Sequence, residues 1–172
     1  MLTLALQYAT HRSGAVKIEN ATGIQLLGNS FAHVGGNAVF LSNSVRNSTV
    51  SRNMFQWLGT SGVAVQGKTG GAMMDGRDGE MLMAAHGAAA DNGVRLPKHN
   101  LVSNNVFADY GIWDKQSACY HKALAPGNMF MNNVCFNSSR HGVNFQDGFG
   151  GGGIAEGNLV SASTCICLPF VL

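Results

Sequence analysis

Charge is scarce in this chain. Lys and Arg number 11, Asp and Glu number 9, and together they make up 12% of 172 residues. The net charge of +2, with no basic run, leaves no electrostatic footprint for nucleic acid. No apolar run reaches the roughly 18 residues that a membrane-crossing helix needs. Low charge combined with 45% hydrophobic residues argues against disorder. Cysteines are few and scattered, at Cys119, Cys135, Cys165 and Cys167. Cys165 and Cys167 lack a second pair at zinc-ligand spacing, so no metal site is read from them and the disulfide pairing stays open. Cys135 reads as a small core residue. Proline is rare (3), whereas glycine is abundant (23).

What the chain does have is repetition. Asn29-Ser30-Phe31, Asn53-Met54-Phe55, Asn105-Val106-Phe107, Asn133-Val134-Cys135 and Asn158-Leu159-Val160 are variants of one phrase. The Asn positions are 24, 52, 28 and 25 residues apart. A period near 25, short apolar segments and frequent glycine suit a coiled parallel sheet in which each turn adds one rung. The interval of 52 reads as about two periods, much of it irregular.

Strand periodicity supports this. In Gly62-Val63-Ala64-Val65-Gln66 and Gly142-Val143-Asn144-Phe145-Gln146, every second residue is apolar. Extended backbone would bury Val63, Val65, Val143 and Phe145 and turn Ala64, Gln66, Asn144 and Gln146 outward. Ala38-Val39-Phe40-Leu41 is a third such strand. A stacked Asn can bond the amides above and below it, and it tolerates the left-handed backbone of a sharp bend. The residues two past each Asn would form an inward apolar column. Only Glu80 to Ala90 has a helical look, and Gly87 interrupts it.

Two segments carry a family resemblance. Tyr110-Gly111-Ile112-Trp113-Asp114-Lys115-Gln116-Ser117, and Arg140-His141-Gly142-Val143-Asn144-Phe145-Gln146-Asp147 with the glycines after it, resemble the pectin-lyase-like superfold. The closest likeness is to a branch known only as right-handed β-helix proteins. Residues 36–42 and 67–70 also suit that branch, and the likeness spans roughly residues 15 to 160. It implies an all-β fold: a right-handed, single-stranded parallel β-helix. It also implies a groove along one sheet, where such enzymes bind polysaccharide. The superfold hosts lyases, hydrolases, epimerases and adhesins, so it does not fix an activity.

The residues suggest two chemistries. For β-elimination on a uronate, Arg140, or Ca²⁺ on carboxylates, would neutralise the sugar carboxylate while Lys115 or His141 took the ring proton. For hydrolysis, Asp114 and Asp147 would serve as acid and base. Asn144, Gln146 and Trp113 would hold the sugar. Each of these residues also has a plain structural reading: Asp147 caps a turn, Asp114 and Lys115 form a solvated pair, and Arg140 bridges two rungs. The glycine run 148–153 reads first as a turn needing positive φ.

The expected organisation is a partial segment over 1–14, the β-helix over 15–160 with a long loop at 67–99, and an off-pattern apolar tail over 161–172. The solenoid is expected to be cut short at both ends. Loops of that length are often functional. Residues 1–7 lack the basic start of a signal peptide. The expected function is binding or processing of polysaccharide, uronic-acid polymers first, by a monomer in the extracellular or secretory space. The competing expectation is a non-catalytic structural or adhesive β-helix, or an inactive fragment.

Overall fold

The structure, a computed structural model, describes residues 11–67, 95–146 and 151–161. Among these residues there is no helix, and every strand pairs in parallel. Three sheets of five strands wind into a parallel β-solenoid. Sheet 1 stacks β1 (Gly14–Glu19), β4 (Asn37–Ser42), β7 (Val63–Gln66), β10 (Ala118–Ala123) and β13 (His141–Gln146). Sheet 2 stacks β2 (Gln25–Leu27), β5 (Thr49–Ser51), β8 (Leu101–Ser103), β11 (Met129–Met131) and β14 (Ile154–Glu156). Sheet 3 stacks β3 (Ser30–Ala32), β6 (Met54–Leu58), β9 (Val106–Tyr110), β12 (Val134–Ser138) and β15 (Leu159–Ser161). Each coil contributes one strand to each sheet, giving five turns.

The interval of 52 residues is one coil, not two. β5 pairs directly with β8, Thr49 opposite Leu101, and no rung lies between them. The extra residues belong to an excursion between β7 and β8, most of it outside the described residues, as are the Glu80 to Ala90 segment, residues 1–10 and the tail beyond 161.

Columns of aligned side chains fill the interior. Phe31, Phe55, Phe107, Cys135 and Val160 stand in one register. The first three rings stack at 4.9 and 4.5 Å. Val39, Val63, Tyr120 and Val143 form a second column. Cys135 is buried as expected, and it is bridged across the coil to Cys119.

The Asn ladder turns the corner from sheet 2 to sheet 3. Asn53 Oδ1 accepts from Asn29 N, Asn105 Oδ1 from Asn53 N, Asn133 Oδ1 from Asn105 N, and Asn158 Oδ1 from Asn133 N. Each bond is 2.8–3.0 Å. The left-handed backbone of the bend falls one residue earlier than expected, on Gly28, Arg52, Asn104, Asn132 and Gly157. The ladder Asn itself is therefore free to aim its amide along the stack. A second ladder turns the corner from sheet 1 to sheet 2. There Ser48 N donates to Asn100 Oδ1, and Asn100 N to Asn128 Oδ1.

One inward position is charged. Lys122 stands in register with Val65 and Phe145, 5% exposed. Its Nζ lies 4.9 Å from the Phe145 ring centre, and burial lowers its pKa to about 8. Gly153 occupies the fifth coil's counterpart of Asn128, five residues before the ladder Asn. A side chain there would meet Lys122 Nζ at 2.3 Å, so the ammonium fills the space an amide takes in the coils before.

Candidate functional site

Sheet 3 leads back to sheet 1 through one loop per coil, and the expected site residues cluster on these loops and on the strands they enter. In the third coil the loop folds back over the second. The N–H groups of Trp113 and Asp114 both donate to Gly59 O at 3.0 Å, and that of Gly111 to Thr60 O. Gly59 is required there: a Cβ would strike Gly35 O at 2.0 Å and the Trp113 ring at 2.8 Å. Trp113 is left 78% exposed on the outside of the loop.

Asp114 and Lys115 shape this loop. Asp114 Oδ1 accepts from Gln116 N at 2.9 Å, an Asx-type turn. Lys115 Nζ donates to Gly111 O and Ile112 O at 3.1 and 2.9 Å. One rung on, Arg140 donates to Gln116 Oε1, so it bridges two rungs.

Arg140 leads directly into β13, whose first residue, His141, is 5% exposed with no partner for Nδ1 among the described residues. Burial, then the charge of Arg140, lowers the His141 pKa. Across the rungs His141 pairs with Ala118, and three residues further along that strand lies His121, 2% exposed, with a pKa lowered to about 4 by burial and then by His141. Asn144 stands opposite His121 and donates to its Nδ1 at 3.3 Å. That leaves the imidazole proton on Nε2, which is buried without a partner among the described residues. Both imidazoles are therefore neutral at pH 7, and His141 directly follows the Arg140 guanidinium in the chain.

The structure thus joins Gln116 to Arg140, which leads into His141, and separately pairs His121 with Asn144 on the same two strands. It places Asp114, Lys115 and Trp113 on the adjoining loop. Asp147 and the Gln146 side chain lie outside the described residues. Gly152 does adopt a turn conformation with φ +69°. His121 was not singled out in the sequence, although period-two alternation from Tyr120 turns it outward beside Asn144.

Calcium needs several oxygen ligands. Among the described residues no three His, Cys, Asp or Glu side chains cluster to hold a metal, so no chemistry is assigned to one.

Sequence reading also missed a ladder on this corner. His33, Trp57, Asp109 and Asn137 each lie four residues past a ladder Asn, and each has φ between +51° and +57°. The pairings of β6, β9 and β12 put Trp57, Asp109 and Asn137 opposite one another. His33 and Trp57 stack at 4.5 Å, and Asn137 Nδ2 donates to Asp109 Oδ1. The shared offset was the available signal, hidden because the four residue types differ. No family model, curated protein or solved structure matches this chain.

Proposed function

We propose that this protein binds and processes an extracellular polysaccharide as a right-handed β-helix of the pectin-lyase-like branch, with uronic-acid polymers as its substrate class. The observation that carries the reading is the Arg140–His141 pair at the start of β13: a cation next to a neutral, desolvated imidazole. The Cys119–Cys135 bridge supports an oxidising compartment.

In this reading Arg140 pairs with the sugar carboxylate, which makes the adjacent ring proton more acidic. His141 takes that proton, the electron pair forms the new C=C bond, and the glycosidic C–O bond breaks. The departing oxygen takes a proton from water, and His141 returns its own to solvent. His141 is preferred to Lys115 as the base because the Lys115 ammonium is tied to two carbonyls. The same tie, with the Asp114 turn, favours a second reading: a non-catalytic scaffold whose loop residues only hold shape.

The test is ultraviolet absorbance of unsaturated uronate ends on pectin and alginate, with and without Ca²⁺. A reducing-end assay run alongside covers hydrolysis. His141→Ala should lose at least about 10²-fold in turnover, whereas Lys115→Ala should keep most of it. If folded protein gives no signal in either assay, the scaffold reading stands instead.

A further inference from the structure

Trp57 is out of place in two respects. Its φ of +51° is a conformation that disfavours bulky side chains. It also leaves 43% of its surface in water, so burial does not explain it. Its ladder partners are His33, Asp109 and Asn137, residue types that tolerate this backbone far better. Strain retained at one exposed position points to a function for the side chain that bears it.

The surroundings indicate what that function is. Trp113, the other tryptophan of the chain, lies over Gly59, two residues along from Trp57. Next to the His33–Trp57 stack, the following two rungs offer the Asp109 carboxylate and the Asn137 amide, bonded to each other. Two stacked rings are thus followed by two paired hydrogen-bonding groups along a straight line of rungs about 4.8 Å apart. A regular linear array suits a regular linear ligand with apolar ring faces and hydroxyl edges.

We propose that the His33–Trp57–Asp109–Asn137 ladder, with Trp113, is a binding strip for the pyranose units of a polysaccharide chain. Trp113, 78% exposed, takes a sugar ring face, and Trp57 offers the side of its indole that His33 leaves open. Asp109 and Asn137 bond the hydroxyls. A carboxylate on the strip disfavours uronates, so the strip takes the neutral units of a mixed polymer whose uronates fall to the Arg140–His141 pair. The strip rests on the reading that this protein engages polysaccharide, and it is distinct from the Arg140–His141 pair that would act on it.

Because Trp57 and Trp113 are the only tryptophans, intrinsic fluorescence reports on the strip directly. The whole chain is titrated with gluco-, xylo- and galacturono-oligosaccharides, with calorimetry in parallel. A fluorescence change is expected with a neutral series, and weaker binding with the galacturonide. Trp113→Ala and Trp57→Asn should each weaken binding at least about tenfold. Trp57→Asn should leave the melting temperature unchanged or higher, since Asn suits the left-handed backbone. His141→Ala should bind as the parent does while losing turnover. The strip is overturned if no oligosaccharide binds. It is also overturned if Trp57→Asn lowers the melting temperature and leaves affinity intact, which would mark Trp57 as structural. Turnover that persists without binding at the strip would overturn the strip alone and leave the uronate chemistry standing.

Discussion

A single asparagine shows how strongly each ladder position is held. Asn105, 1% exposed, accepts from Asn53 N and Nδ2 and donates Nδ2 to Val50 O and Asn133 Oδ1. Asn105→Ala strands several of these groups away from water, and a buried unpaired group costs about 1–3 kcal/mol. We expect a loss of about 3 kcal/mol in chemical denaturation, and clearly less for Asn29→Ala, which sits at an exposed end of the ladder. Equal losses would mean that the ladder merely accompanies the fold. This residue was readable from sequence because its phrase is nearly invariant, Asn followed two residues later by an inward apolar side chain. Its counterparts five residues earlier were not: Ile24, Ser48, Asn100, Asn128 and Gly153 share a place without sharing a chemistry. Ser48 presents an oxygen to Ile24 N, and a lysine fills the space at Gly153. Position in the coil, rather than residue identity, defines that corner.

Sheet 1 behaves differently from the other two because its outward face is also buried from β4 to β10. Phe40, Ala64, Gln66 and His121 each expose 2% or less. Arg12 lies over the Phe40 ring and donates to Gln66 Oε1 and Gly67 O. Alternation in the sequence assigned outward directions correctly here, but outward was taken to mean solvated. Half-buried Asn144 keeps a place where a sugar could reach it, whereas the imidazole it bonds is hidden, and its burial carries no signal in the sequence. The burial has a consequence for pH. The His121 pKa falls from 6.5 in the unfolded chain to about 4 in the fold. Between those values the unfolded chain binds a proton that the native state does not, so stability rises with pH across the window. The contribution is complete above about pH 6.5 and lost as pH falls toward 4, and for a shift of this size it is on the order of 3 kcal/mol. His141 is shifted in the same direction. Urea denaturation from pH 4 to 7.5 should show this slope, and His121→Gln should flatten it. An unchanged slope in the variant would place the dependence elsewhere.

The whole molecule is quasi-one-dimensional, since each coil pairs its strands only with those of the coils above and below it. Period and phrase made the architecture legible, but not the count of turns. The distance from Asn53 to Asn105 looks like two coils in sequence and is one in space, because a chain can leave a rung and return to it without adding another. Nor could spacing show that Cys119 and Cys135 face each other across a single coil. Linear architecture also predicts where damage matters most. Phe107, fully buried, lies 4.5 Å from Phe55 on one side and packs against Phe130 on the other. Phe31 has one stacked ring neighbour, at 4.9 Å, and is only partly buried. Removing a buried Phe costs about 3–5 kcal/mol, so Phe107→Ala should fall in that range. Phe31→Ala should lose about half as much, because an outer coil gives up one interface where an inner coil gives up two. Urea unfolding of the two variants decides the matter: matching losses would mean that the five coils melt as a single block, with the interior column too evenly shared for position along the axis to count.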